Sequence, residues 1–178
     1  MRVALNIVSL FVFWVAVLSS VAQQASVDGP KHILHDELLE NMLGSWRLNG
    51  KIAGRQVEHT VDTDWVLNHQ FLRLHEKEVA TTDKLPYEAI VMIGYDNASE
   101  RYAAHWMDIF GGRFSETLGY GKRSDSQIEF VFEYPDGPFH TIFRWDVGSQ
   151  HWQWLMRQKN EAGQWTDFAD ATLTRPKE

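Results

Sequence analysis

From Trp46 to Thr174 the chain is cut into short runs of alternating apolar and polar residues, interrupted about every ten residues by turn formers. No other property narrows the fold as far. Val57, His59, Val61, Thr63 and Trp65 alternate with Glu58, Thr60, Asp62 and Asp64, a period of two with an acidic outer face. Ile128, Phe130, Phe132 and Tyr134 alternate with Glu129 and Glu133 and run into Pro135-Asp136-Gly137. Further strands are predicted at Trp46–Ile52, Gln70–Ala80, Tyr87–Tyr95, Arg101–Ile109, Arg113–Gly121, Phe139–Val147, Trp152–Gln158 and Trp165–Thr174. Gly111-Gly112, Gly148-Ser149 and Asn160-Glu161-Ala162-Gly163 supply the breaks between them.

Ten or so strands with short links, and no crossover helix between them, exclude a parallel sheet. Consecutive antiparallel strands joined by tight turns form a meander, and closing that meander into a ring removes its exposed edges. The expected fold is all-β: an antiparallel up-and-down barrel of about ten strands, entered through a short N-terminal helix. That helix is predicted over His32–Leu43, where Ile33, Leu34, Leu38, Leu39, Met42 and Leu43 share an apolar stripe and Gly44 supplies a stop.

Upstream of the helix the chain reads as an address and not as fold. Arg2, the apolar run from Val3 to Val17, and small residues at Ser20 and Ala22 fit a signal peptide cleaved after residue 22. An uncleaved anchor is the alternative. Residues 23–31 form a polar lead-in, and 32–178 the barrel domain. The expected location is secreted or periplasmic. No second apolar run reaches spanning length, so no membrane association is expected once the signal is removed.

With 24 acidic and 17 basic residues the chain carries a formal charge of −7 and no basic run, so nucleic acid is not an expected partner. The absence of cysteine excludes disulfides, thiol catalysis and cysteine-ligated zinc. Eight Trp, ten Phe and five Tyr leave either a large aromatic core or an aromatic-lined cavity.

Gly44-Ser45-Trp46 at the first strand and Leu173-Thr174-Arg175 at the last resemble the signature of lipocalins and related calycins. That resemblance implies that Gly44, Trp46 and Arg175 form a structural signature, with the guanidinium stacked over the indole and the helix plugging one mouth. Leu43-Gly44-Ser45-Trp46, Ile93-Gly94-Tyr95-Asp96, Trp106 with Asp108, Leu118-Gly119 and Leu173-Thr174-Arg175 together resemble more closely an uncharacterised calycin-like family of bacterial proteins known as a domain of unknown function. Membership there implies fold and no activity. Nitrobindins, also ten-stranded calycin barrels, hold haem through a histidine near the C-terminus. The last histidine here is His151, so the resemblance carries no haem ligand over, and no cofactor is expected.

The candidate site consists of polar residues on apolar strand faces. His59 and Trp65 share parity on one strand, Trp106 and Asp108 on another, and Glu116 and Tyr120 on the strand predicted at Arg113–Gly121. With Phe130, Phe132 and Trp154 they would line a lumen that takes a small, largely hydrophobic ligand. The enzymatic alternative makes His59 and Glu116 an acid–base pair. The structural alternative is a filled barrel that contacts protein partners through its surface. No Gly-x-Ser-x-Gly elbow or metal motif is present, and His32 and His35, three apart on the predicted helix, are expected to be solvated rather than ligands.

Overall fold

Ten antiparallel strands close on themselves in a computed structural model that describes residues 32–79 and 85–177, with the Phe114 side chain excepted. The signal peptide and lead-in proposed for residues 1–31 lie outside the described residues. The strands are β1 (Gly44–Ile52), β2 (Arg55–Val66), β3 (Phe71–Glu78), β4 (Glu88–Asp96), β5 (Arg101–Asp108), β6 (Gly119–Arg123), β7 (Gln127–Tyr134), β8 (Gly137–Asp146), β9 (His151–Lys159) and β10 (Trp165–Thr174). Each pairs with its neighbours in sequence, and β1 pairs with β10, Leu48 facing Leu173, to complete the ring.

Helix α1 is a single turn, Glu37–Glu40, and not the longer helix predicted from His32. The cause is Asp36, whose carboxylate accepts from the backbone N–H of Leu38 and Leu39 and so starts the helix there. Asp36 is itself buried, and Tyr102 and Arg123 donate to it from β5 and β6. At the other end of the turn, the indole N–H of Trp46 donates to the Met42 carbonyl at 2.7 Å and that of Trp152 to the Asn41 carbonyl at 3.4 Å. The wall thus holds both ends of the turn, gripping the Asp36 cap at one end and satisfying free carbonyls at the other, which seats it as a plug.

Arg175 closes the same end. Its guanidinium lies 3.7 Å over the Trp46 ring and donates to the carbonyls of Leu43 and Ser45. Gly44 makes room for it: φ there is +94°, and a Cβ would stand 2.8 Å from Arg175 Nη1. Arg175→Ala should cost about 0.5–2 kcal/mol in chemical denaturation, and Arg175→Lys should not restore it, because an ammonium cannot stack flat and bond both carbonyls. Unchanged stability in both variants would show that the stack carries no weight.

The segment Arg113–Gly121 differs from expectation. Gly112–Ser115 is a one-turn helix, α2, and β6 begins only at Gly119. β6 meets β5 through Tyr102, Ala103 and Ala104, so the outer half of β5 has no strand partner on that side; there His105 Nε2 donates to the Ser115 carbonyl instead. The helical turn also resets the parity. Gly119 and Gly121 face inward, where a Cβ would fall 2.6 Å from the rings of Phe132 and Phe130, respectively. Leu118 and Tyr120 therefore point outward, each about two-fifths exposed.

Candidate functional site

The lumen is filled at the plugged end and through the middle, and hollow at the other end. Trp46, Trp152, Trp154, Phe130 and Phe143 are almost wholly buried, and Trp154 packs against both Phe143 and Trp106. Beyond this layer, a cavity of about 680 Å³ opens toward the far mouth. Trp106, Phe132, Phe139, Met156 and Phe168 supply its apolar wall, and Phe110 stands exposed at its rim. A hollow of about 530 Å³ at the plugged end is lined mainly by polar groups.

His59 and Glu76 form the most buried polar contact of the cavity. Both point inward from adjacent strands, and His59 Nδ1 lies 2.5 Å from Glu76 Oε1. They are 3% and 1% exposed, which places an imidazole–carboxylate pair inside the barrel without bulk water around it. Tyr87, just before β4, is hooked to β3 twice through Glu78, whose backbone N–H donates to the Tyr87 carbonyl and whose carboxylate accepts from the Tyr87 N–H; its ring stacks on that of His59, centroids 5.7 Å apart. Its hydroxyl reaches Asp108 at 3.5 Å.

These phenols are held neutral. Burial, then the charges of Glu76 and Asp108, push the Tyr87 hydroxyl well above its ordinary range. Burial and Asp108 push Tyr134 up to about 12. Both therefore keep their protons at any physiological pH. Thr141, also on the wall, is 1% exposed and its Oγ1 has no protein hydrogen-bond partner. A buried hydroxyl left unpaired costs about 1–3 kcal/mol, so Thr141 is a local polar defect in the wall of the hollow.

Four of the residues expected in the lumen meet here: His59, Trp106, Asp108 and Phe132. Phe130 and Trp154 are inward but belong to the solid middle layer. Trp65 is inward as well, yet six residues along β2 from His59 is about 20 Å, and it stacks on His69 at the plugged end. Two expectations are overturned. Glu116 is exposed at the end of α2, outside the cavity, so it cannot pair with His59, and the proposed acid–base couple is lost. Tyr120 faces outward beneath the Arg101 guanidinium. Among the lining residues that sequence reasoning missed, which include Tyr87, Phe139, Thr141 and Phe168, the one with the most chemistry is Glu76. It shares parity with Leu72 and Leu74 on β3, the same carboxylate-on-an-apolar-face signal that marked the others.

No curated protein matches this chain in sequence. A family model does, from the plug segment to the arginine over Trp46, and across that whole stretch, residues 32–175, the chain belongs to DUF1579, a family of proteins of unknown function.

Proposed function

We propose that the protein is an exported, calycin-like binding module that takes one small, largely apolar molecule into the open half of its barrel. The observation that carries this reading is the hollow itself, in a barrel whose other half is packed solid. Its volume falls within the roughly 300–1,000 Å³ usual for small-molecule sites, and its lining has their usual chemistry, aromatic walls with a few polar groups. The ligand's apolar body would lie against Trp106, Phe132, Phe139 and Phe168. One polar substituent would meet the His59–Glu76 pair. Glu76 engages Nδ1 of His59, which leaves Nε2 to the ligand. The Gly-x-Trp and Thr-Arg resemblance and the leader-like N-terminus support the calycin and export parts of the proposal.

N-Phenyl-1-naphthylamine, a small uncharged fluorophore, tests it. Fluorescence titration should give one site per chain. Thr141→Phe, which puts a ring into the hollow, should weaken binding at least about tenfold, a loss of about 1.4 kcal/mol, while the circular dichroism spectrum stays unchanged. Failure of the wild type to bind, or equal binding by the folded variant, would refute the reading. The export part is read separately from the mass of the mature protein, expected to begin at Gln23.

A further inference from the structure

We propose that His35, Glu40 and His69 form a divalent-cation site, suited to Zn²⁺, at the plugged end of the barrel. One imidazole or carboxylate atom from each lies within 4.8 Å of the others, and His69 Nε2 is 3.8 Å from Glu40 Oε1. Zinc bound by nitrogen and oxygen at about 2.0–2.1 Å needs its ligand atoms roughly 3.3 Å apart, a contraction that side-chain rotation alone can supply. Two imidazoles and a carboxylate suit a borderline cation, not Mg²⁺ or Ca²⁺, which prefer oxygen alone. A three-residue set leaves a fourth position for water.

The surroundings of His69 are those of a prepared ligand. Its Nδ1 donates to the Leu34 carbonyl at 2.8 Å. A carbonyl only accepts, so in the neutral ring Nδ1 carries the proton and Nε2 presents its lone pair to the cluster. The ring is clamped against Trp65, centroids 4.1 Å apart and planes 21° from parallel. The same indole donates to Glu40 Oε1 at 3.1 Å and so orients the carboxylate. His69 itself sits in a turn of three consecutive left-handed residues, Leu67, Asn68 and His69, a costly conformation that aims the imidazole back at the plug. His35 supplies the third group; its ring lies 5.3 Å from that of His69, and it is exposed and free to rotate. A bound ion would tie the segment before and within α1 to the β2–β3 turn, 29 to 34 residues away, and fasten the plug.

The site is independent of the lumenal ligand and is tested with metal alone. Calorimetric titration of metal-stripped full-length protein with ZnCl₂ should show one equivalent bound. Co²⁺ in its place should give the intense visible bands of a four-coordinate ion. His35→Ala and Glu40→Ala should each weaken Zn²⁺ binding at least about tenfold with no loss of fold; His35 is exposed, so its removal disturbs no packing. His75→Ala, which breaks a separate His–Glu contact with Glu88 on the outer wall, should change nothing. No stoichiometric binding, or binding that survives both His35→Ala and Glu40→Ala, or binding lost in His75→Ala, would overturn the assignment.

Discussion

Trp154→Ala should destabilise the barrel by about 3–5 kcal/mol, because it deletes a whole indole from the packed interior and leaves a space its neighbours cannot close. Trp154 is 1% exposed, with Phe143 at 4.7 Å and Trp106 at 5.6 Å between ring centroids. The strands that carry Trp154 and Phe143, β9 and β8, are laddered on both sides, so their collapse into the gap would require breaking backbone hydrogen bonds. For a domain of this size the loss lowers the melting temperature by roughly 2–4 °C per kcal/mol, on the order of 10 °C in all. Trp154→Phe should cost clearly less. It keeps a ring, and it removes an indole N–H that is buried without a partner. Thermal and denaturant unfolding of the two variants measure the difference. A loss below about 1 kcal/mol for the alanine variant would mean that the middle of the barrel is not the solid layer described, since cavity-forming substitutions in packed cores cost more than that.

Strand order and closure were legible because period two and turn chemistry act locally. Each hairpin places its own strands next to each other, and the meander follows without long-range information. Side-chain parity was legible for the same reason, and it put His59, Trp106, Asp108 and Phe132 on the inner face. Depth along the barrel axis was not. His59 and Trp65 share a face, but one lines the hollow and the other contacts the plug, and only the way the ring is filled from one end decides that. Parity itself failed where a helical turn intruded. Gly111-Gly112 signals a turn between two strands, but the chain makes α2 before β6, and Glu116 and Tyr120 lie outside. The glycines at 119 and 121 held the correction, since large rings at Phe130 and Phe132 need bare backbone opposite them. The meeting of His35 with His69 had no local signal, because it depends on where the plug is seated. The short helix begins at Asp36 and leaves His35 in the segment that reaches the β2–β3 turn.

Breaking the His59–Glu76 pair from one side should be severe, and replacing it from both sides mild. Glu76→Leu leaves the imidazole N–H buried without its acceptor, at a cost of about 1–3 kcal/mol. The double variant His59→Leu, Glu76→Leu removes both polar groups together, and buried ion pairs replaced in this way are often neutral or better, so most of that loss should return. Binding should follow the opposite course. If the pair anchors a polar substituent, the wild type should prefer 2-naphthol to naphthalene, by about tenfold or more for a hydrogen bond to such a pair. The double variant should keep its affinity for naphthalene and lose the preference. A double variant as unstable as the single one would make the contact structural glue. A preference that survives would move the anchor to Asp108. The expected pattern, stability regained and discrimination lost, separates the two roles because it assigns the pair's desolvation cost to recognition: a hollow barrel gains nothing in folding from an imidazole and a carboxylate 2.5 Å apart in its wall that two leucines would not supply.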